Sequence, residues 1–169
     1  MIALKNILVA TDFEPAADAA LTYGRTLAQA FGATLHVLHV TDDVRLAATG
    51  AEFYVPIDSN LQAEVDEAAR IQLAAQTMDS DGSGPPTCIA IRTSHAPAPV
   101  IVGFAREHAI DLIVMGTHGR GAVAHLLMGS VAERVVRTAP CPVLTIHHPE
   151  HEFVVPDTLV SVQKAQTKV

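Results

Sequence analysis

A chain of 169 residues is long enough for one domain with a substantial hydrophobic core. With 49% hydrophobic and only 17% charged residues, the composition excludes disorder as a description of the whole chain. The formal net charge of -7 supplies no basic surface to neutralise the phosphates of a nucleic acid, so nucleic acid is not an expected partner.

The start of the chain enters a predicted strand almost at once, without the charged, apolar and cleavage regions of a secretory signal. The sequence contains no apolar stretch near the roughly 18 residues of a membrane-spanning helix. We therefore expect a cytoplasmic protein without a membrane partner. Cys88 and Cys141 fall in predicted strands with no C-x-x-C pairing, and we expect both to be buried thiols.

The first part of the chain alternates apolar runs with amphipathic stretches. Residues 6–10, NILVA, form a continuous apolar run typical of a central buried strand. Pro15 suits the first turn of a helix, whose apolar positions keep helical spacing as far as Gly32. Residues 34–40, TLHVLHV, predict the second strand.

A segment without periodicity separates the second strand from the second helix. Residues 42–58 contain Gly50 and Pro56, and predict a mobile loop on the ligand side of the sheet. Ser59 and Gln62 then form the pattern of a capping box, which predicts a helix start. The stripe that this helix is expected to bury consists of Leu61, Val65, Ala68, Ile71, Ala75 and Met78.

The second part of the chain repeats the alternation after a turn-rich linker at residues 79–86. Strands are predicted at 87–91, 112–115 and 142–146, one helix from Pro97 to about His108, and another from Ser130. Five strands that alternate with four helices over short connections require a parallel sheet with helices on both faces. The predicted fold class is therefore α/β.

Glycines surround the predicted start of the last helix. Ser130 and Glu133 form a second capping-box pattern there, ahead of the apolar pair Val135 and Val136. The first amides of a helix lack intrahelical partners and the helix dipole is positive at that end, which favours an anion, above all phosphate. The glycines that would let the backbone approach such a ligand are Gly116, Gly119, Gly121 and Gly129.

This glycine pattern has the form G-x-x-G, nine residues, G-S, and runs from Gly116 to Ser130 without the lysine of a P-loop. It resembles the nucleotide-binding signature of the universal stress protein family, in the branch that binds ATP. The flanking stretches VMGTHGRG and TAPCPVLTI are also similar to that family, and the order of elements fits from Lys5 to Ile146.

The resemblance implies an open five-stranded parallel sheet of order 3-2-1-4-5, similar to the adenine-nucleotide alpha-hydrolase-like fold. It implies a universal stress protein domain at 1–148 and leaves a C-terminal extension at 149–169. In that order the first and fourth strands lie side by side, and a ligand crevice opens where their carboxyl ends diverge.

The same resemblance implies a site for ATP, AMP or ADP, with or without Mg²⁺. Asp12 and Val40, with Thr41 as a further candidate, would contact the adenine and ribose. The glycine loop and the start of the last helix would hold the phosphates, and Arg120 would add positive charge. The implied nucleotide-binding residues are Thr11, Asp12, Val40, Met115, Gly116, His118, Gly119, Arg120, Gly129, Ser130 and Val131.

Several of these residues have a purely structural alternative. Asp12 could simply end a strand or cap the following helix, and the hydroxyl of Ser130 could serve only the capping box. Gly119 and Gly129 could exist for turn geometry, and Arg120 could be an ordinary surface arginine. Two departures from the family pattern, Thr93-Ser94-His95 and Phe13-Glu14, leave the nucleotide loop and the adenine side less defined.

Catalysis and metal binding receive less support. His118 and His125 could act as bases, but no carboxylate near them in the loop would orient either ring, so no catalytic residue is predicted. His147, His148 and His151 form an H-H-x-x-H cluster, but exposed histidines at a strand exit are commoner than a metal site. No metal site is predicted.

The extension beyond residue 148 carries apolar residues that should pack on the domain or on a second subunit. The family resemblance implies a homodimer joined through the fifth strand, whose edge would otherwise be exposed. The predicted function is an ATP-binding sensor or regulatory module of the stress response. Two alternatives stay open, a weak ATPase or phosphotransfer enzyme that uses the same pocket, and an interaction protein of the same fold that binds no nucleotide.

Overall fold

A computed structural model describes residues 2–44, 60–78, 83–117 and 128–147. Within these ranges the chain forms five strands and four helices, as the apolar pattern predicts. In chain order they are β1 (Asn6–Thr11), α1 (Pro15–Phe31), β2 (Thr34–Thr41), α2 (Leu61–Thr77), β3 (Thr87–Thr93), α3 (Pro97–Glu107), β4 (Leu112–Gly116), α4 (Ser130–Thr138) and β5 (Val143–Ile146).

The five strands form one parallel sheet of order β3-β2-β1-β4-β5, which confirms the predicted fold class and strand order. β1 pairs with β2 on one side and with β4 on the other, so that Ala10 lies level with Met115. Since β2 and β4 extend the sheet in opposite directions from β1, the chain changes winding direction between β1 and β4. This junction is the usual ligand position in an open α/β sheet.

Two hydrophobic cores lie on the two faces of the sheet, because successive strand residues point to opposite sides. Leu8, Ala10 and Met115 belong to the core that includes residues of α3 and α4. Val9 and Val114, one residue along, belong to the core that includes residues of α1 and α2. The four helices therefore cover the sheet in two pairs.

The end of α1 agrees with the prediction. Gly32 follows the helix in the left-handed conformation, with φ 64°, and its amide caps the last turn. Glycine adopts this backbone angle without a steric penalty, which explains why the helix stops there. No helix among the described residues is long and apolar enough to cross a membrane.

The second helix differs from its prediction. It begins at Leu61, with Asn60 as the N-cap residue and no side-chain capping bond, while Ser59 lies outside the described residues. The predicted apolar stripe is wrong, because Ile71 and Met78 are 63% and 77% exposed. The buried residues of α2 are instead Ala69 and Leu73.

Polar residues explain why α2 buries a different face from the one that was predicted. The inward face of α2 also carries Gln62, Asp66 and Gln76, and hydrogen bonds pair all three with groups on other elements or on one another. Asp66 accepts from the hydroxyls of Thr41 and Thr93, and Gln76 donates to Asp18 of α1. A pattern based on apolar spacing alone cannot find a helix face that is partly polar.

The prediction of two buried strand cysteines is also wrong. Cys88 is exposed, because β3 is an edge strand of the sheet. Cys141 is half-buried and precedes β5 instead of lying in it. Burial raises the pKa of the Cys141 thiol, and the negative charge of Asp111 adds to that rise.

Candidate functional site

The carboxyl ends of β1 and β4 bring together the first group of predicted site residues. Met115 and Gly116 are the last two residues of β4, and Thr11 is the last residue of β1. Asp12 follows directly, and because Ala10 pairs with Met115, Thr11 lies level with Gly116. The neighbouring strands thus place these four residues at one edge of the sheet.

Val40 joins this edge from β2, whereas Thr41 is directed away from it. Val40 packs against the core that contains Ala10 and Met115, on the face covered by α3 and α4. Thr41 is buried with 4% exposure, and its hydroxyl donates to Asp66 of α2 at 2.6 Å. Of the two candidates at the end of β2, only Val40 shares a face with the start of α4.

The turn after β1 is fixed by short-range hydrogen bonds. The amide of Phe13 donates to Oγ1 of Thr11 at 3.1 Å, and the amide of Glu14 donates to Oδ1 of Asp12 at 3.2 Å. Helix α1 begins at once, since the amide of Ala17 donates to the carbonyl of Glu14 at 2.8 Å. Asp12 is half-buried and lies within this defined turn. That position is compatible both with a ligand-binding role and with a purely structural role in ending β1.

Gly116 is required by packing. A Cβ added there would lie 2.9 Å from both the carbonyl carbon and the Cβ of Ala16. Such a contact is closer than real Cβ atoms tolerate, so the first turn of α1 can approach β4 only because residue 116 has no side chain. The sequence pattern predicts a role for Gly116 in the ligand loop. The structure adds a packing role, which is to let α1 approach β4.

The two ends of the glycine loop lie side by side. The amide of Gly129 donates to the carbonyl of Thr117 at 2.6 Å, and the amide of Thr117 donates to the carbonyl of Ile146 in β5 at 2.8 Å. Between these ends, residues 118–127 lie outside the described part of the chain, and they include His118, Gly119 and Arg120. Thr117, which follows β4, and Gly129, which precedes α4, are therefore hydrogen-bonded neighbours.

The start of α4 differs from the predicted capping box. Gly129 is the N-cap residue and has no side chain with which to cap the helix, and Ser130 is the first helical residue. The amide of Glu133 donates to the carbonyl of Gly129, whereas the Glu133 carboxylate pairs with Arg137 at 3.2 Å. Because a glycine N-cap supplies no side-chain acceptor, it leaves the early amides of α4 their capacity to bind an anion.

An open cavity of about 360 Å³ runs along the outer face of α4. All its lining residues are exposed, and it follows a single helix instead of the edge between strands. We therefore regard it as a surface groove on α4 that shares only Ser130 with the predicted nucleotide site. Its lining residues are Ser130, Glu133, Arg134, Arg137 and Thr138.

Asp66, near this edge, accepts hydrogen bonds from three side chains. Burial raises its pKa, but hydrogen bonds from Thr41, Gln62 and Thr93, with the charge of Arg70, outweigh that effect and hold the pKa below its ordinary value. Sequence analysis did not single out Asp66, because a carboxylate inside a helical pattern is normally a solvent-facing residue. Two of its partners, Thr41 and Thr93, lie on strands that are distant in sequence.

The histidine cluster after β5 is described only at its first member. His147 is exposed, and its Nδ1 lies 3.2 Å from the hydroxyl of Thr117. His148 and His151 lie outside the described residues. Among the residues that the structure describes, no group of three or more histidine, cysteine or acidic side chains could hold a metal ion.

Comparisons with known proteins agree with this architecture. The sequence profile of the universal stress protein family matches residues 3–147. A relative from Thermus aquaticus, the universal stress protein in the QAH/OAS sulfhydrylase 3' region, is 35% identical over 142 residues, which cover 84% of this chain and 98% of the relative.

Two solved structures extend the comparison. The universal stress protein UspA from Lactobacillus plantarum superimposes with a TM-score of 0.69 and 33% identity, over 86% of this chain and 99% of that one. A universal stress protein solved in complex with cAMP superimposes with a TM-score of 0.54 and 26% identity, over 86% and 98% of the two chains. With its sequence profile, strand order and relatives in agreement, the chain belongs to the universal stress protein family.

Proposed function

We propose that this protein binds an adenine nucleotide, ATP, ADP or AMP, at the carboxyl ends of β1 and β4, and acts as a nucleotide-dependent sensor or regulatory module of the stress response. The observation that carries the proposal is the junction between these strands, where Asp12 and the start of α4 meet the same edge of the sheet. The relative in complex with cAMP supports it, because its ligand is an adenine nucleotide.

In this proposal the ligand lies on the face of the sheet that α3 and α4 cover. Asp12 accepts hydrogen bonds from the adenine or ribose, and the half-buried side chain of Val40 contacts the base. The backbones of Gly129, Ser130 and Val131 receive the phosphates at the positive end of the α4 dipole. Helix amides suit this task because they bind anions without adding charge to the protein.

The remaining predicted residues complete the site. Thr11, Met115 and Gly116 shape the floor of the crevice at the strand ends. From the glycine loop, Gly119 offers backbone, while His118 and Arg120 supply donors to the phosphates. The nucleotide is expected to bind with or without Mg²⁺, which would reduce repulsion between the phosphates and Asp12.

Calorimetric titration of the full chain with ATP, ADP and AMP tests this function, with and without Mg²⁺. Asp12→Asn should weaken binding by about tenfold, since it removes one charged acceptor. Gly129→Val should abolish binding, because it puts a bulky side chain where the phosphates approach. Residue 129 has φ -69° and ψ 154°, which valine adopts readily, so the substitution leaves the backbone unstrained.

A matched control for Gly129→Val is Gly103→Ala in α3, where an added Cβ meets nothing within 4 Å. This variant should bind nucleotide as the wild type does. Wild-type protein that binds none of the three nucleotides would contradict the proposal and favour an interaction protein of the same fold. Phosphate release, measured on the same samples, separates binding from turnover.

We also propose that the protein forms a homodimer through β5. β5 is the terminal strand of the described sheet, so its outer edge presents backbone groups that a second copy could pair with. The family domain at 1–148 would supply this edge, and the extension at 149–169 would pack across the two subunits.

Thr145→Pro tests the dimer directly. The carbonyl of Pro142 accepts from the amide of Ile113, and the carbonyl of Ile146 accepts from the amide of Thr117. Even-numbered residues of this segment therefore face β4, and odd-numbered residues face the open edge. The amide of Thr145 therefore points to the open edge. Light scattering should show a dimer for wild type and for Thr145→Val, and a monomer for Thr145→Pro. A monomeric wild-type chain would contradict the proposal.

A cytoplasmic location is part of the same proposal. Cys88 is an exposed free thiol, and such thiols persist in compartments that are kept reducing. Fractionation of cells that express the tagged protein tests it, and recovery in a membrane or extracellular fraction would contradict it.

A further inference from the structure

The turn that carries Asp12 contains an unfavourable backbone angle. Phe13 has φ 67°, in the left-handed region that non-glycine residues seldom occupy. Glycine would adopt this angle freely, so the presence of phenylalanine means that contacts elsewhere hold the residue there. Strained residues of this kind concentrate at ligand sites, where surrounding structure fixes their conformation.

Phe13 is held by the hydrogen bond from its amide to Oγ1 of Thr11 and by contact between its ring and a buried histidine in the neighbouring strand. The Phe13 ring lies over the ring of His39, with 4.3 Å between their centroids and 34° between their planes. His39 is 5% exposed, which means that the pair is largely shielded from water on the histidine side. Contact between the two tilted rings therefore links the turn after β1 to β2.

His39 also fixes the peptide that precedes Asp12. Its Nδ1 lies 2.8 Å from the carbonyl oxygen of Thr11. Because a carbonyl oxygen only accepts hydrogen bonds, Nδ1 must carry the hydrogen and donate it. The same histidine thus holds the backbone before Asp12 through a hydrogen bond and the residue after it through ring contact.

Asp12 lies between these two fixed points. Its Oδ1 accepts from the amide of Glu14, so the orientation of the carboxylate depends on the backbone angle at Phe13. If Phe13 relaxed to an ordinary negative φ, the Glu14 amide would swing away and the carboxylate would lose this donor. The Phe13 and His39 rings and the Asp12 carboxylate are thus one connected unit.

We infer that Phe13 and His39 are positioning residues that hold the Asp12 carboxylate in the orientation needed to contact the nucleotide. This inference rests on the proposed function for its ligand. It assigns a role to Phe13, which belongs to the Phe13-Glu14 departure from the family pattern. The contact between the two rings provides the rigidity that a glycine at position 13 would lack.

The test combines ATP titration with amide hydrogen exchange, measured by nuclear magnetic resonance on the full chain without ligand. Phe13→Ala should speed exchange of the Glu14 amide and weaken ATP binding, each by about tenfold, because both depend on one charge-assisted bond. Phe13→Tyr keeps the ring and should restore both values. Phe31→Ala, at the 44% exposed end of α1, removes the same side chain far from the turn and should change neither.

A second pair of variants separates the two contacts of His39. His39→Asn keeps a nitrogen donor for the Thr11 carbonyl but removes the ring, whereas His39→Leu removes both. We expect weaker ATP binding for both, with the larger loss for His39→Leu. Affinities are measured under conditions in which circular dichroism shows each variant to be folded, so that lost stability is not mistaken for lost positioning.

The outcomes distinguish this inference from the proposed function. Wild-type protein that fails to bind ATP overturns the function, and Glu14 exchange alone then decides whether Phe13 holds the turn. Unchanged Glu14 exchange in Phe13→Ala overturns the positioning role whether or not ATP binds. Faster exchange with unchanged ATP affinity also overturns it, because the nucleotide would then not depend on the turn.

Discussion

The hydroxyl of Thr41 donates a hydrogen bond to Oδ1 of Asp66 across 2.6 Å, and this bond fastens the first half of α2 to the end of β2. The Thr93 hydroxyl, from the adjacent edge strand, donates to the second oxygen at 3.1 Å. Asp66 thereby joins β2, β3 and α2 at the carboxyl edge of the sheet, next to the end of β2 that supplies Val40.

Thr41→Val should lower the free energy of unfolding by about 1 kcal/mol or more, because it leaves Asp66 without its shortest hydrogen bond. Urea denaturation at pH 7 provides the measurement. Thr26→Val, on the exposed side of α1, is a control that should change stability by less than about 0.5 kcal/mol. Combining Thr41→Val with Asp66→Asn should cost less than the sum of the single changes, since the two residues share one interaction. Additive effects would contradict a direct bond.

Gly116→Ala should destabilise the protein by about 1 to 3 kcal/mol, because the new methyl group would overlap the first turn of α1. Adding Ala16→Gly should recover only part of this loss, since the carbonyl carbon of residue 16 also lies 2.9 Å from the new Cβ. Thermal or urea unfolding measures each change. Gly103→Ala serves as the matched control, and it should stabilise the protein by about 0.5 to 1 kcal/mol, because its site is open and helical.

Asp111 should make the free energy of unfolding depend on pH in the acid range. Its Oδ2 accepts from the amides of Asn6 and Lys5 at 2.9 and 2.7 Å, and these bonds hold its pKa below the ordinary value. A folded-state pKa that is depressed gives stability that is present above the unfolded pKa of about 3.9 and is lost as pH falls through the folded pKa.

Asp111→Asn should therefore be less stable than wild type near pH 7, and the difference should shrink as pH falls below about 4. Urea midpoints between pH 7 and pH 3 provide the measurement. Asp42→Asn, at an exposed position after β2, is the control and should not reproduce the trend. A stability difference that stays constant over this range would contradict the predicted linkage.

His36 should give a second pH dependence at higher pH. Burial lowers its pKa, and the neighbouring charge of His108, whose ring centroid lies 5.7 Å away, lowers it further. Because the folded state disfavours the proton, stability should be full above the unfolded pKa of about 6.5 and should decline as pH falls from there. His36→Gln should flatten this decline in urea midpoints between pH 7.5 and 5.5. The same decline in His36→Gln and wild type would exclude His36 as its source.

Much of the fold could be predicted because apolar runs of about four to seven residues report burial directly. The bounds of α1 follow from Pro15 and Gly32, and the bounds of α3 from Pro97 and His108, since these residues act through local backbone chemistry. The strand order came from family resemblance, because hydrophobic pattern specifies that strands are parallel and leaves open which strands are neighbours.

The failures have a common physical cause. The buried face of α2 depends on polar partners in β2, β3 and α1, and the exposure of Cys88 depends on the position of β3 at an edge. The capping box at Ser130 matched its local pattern, but the chain enters α4 one residue earlier, at Gly129, whose amide is held by Thr117. Each depends on contacts between segments that are distant in sequence.

The candidate site itself stays a prediction. Asp12, Val40, Met115 and Gly129 lie at the expected edge of the sheet, but their contact with a nucleotide is untested, and His118, Gly119 and Arg120 lie outside the described residues. The left-handed angle of Phe13 and its contact with His39 had no signal in the sequence, since phenylalanine carries no preference for that angle.

The hydrogen bond between the Gly129 amide and the Thr117 carbonyl has a consequence for the evolution of this fold. Because Thr117 and Gly129, which flank the segment 118–128, are hydrogen-bonded to each other, the length and composition of that segment can change without shifting α4 against β4. Insertions, deletions or grafted sequences there should leave the scaffold intact, and at the proposed nucleotide site they would alter which phosphate group is recognised. One scaffold could in this way diversify into proteins that answer to different metabolites, with most of the change confined to this segment.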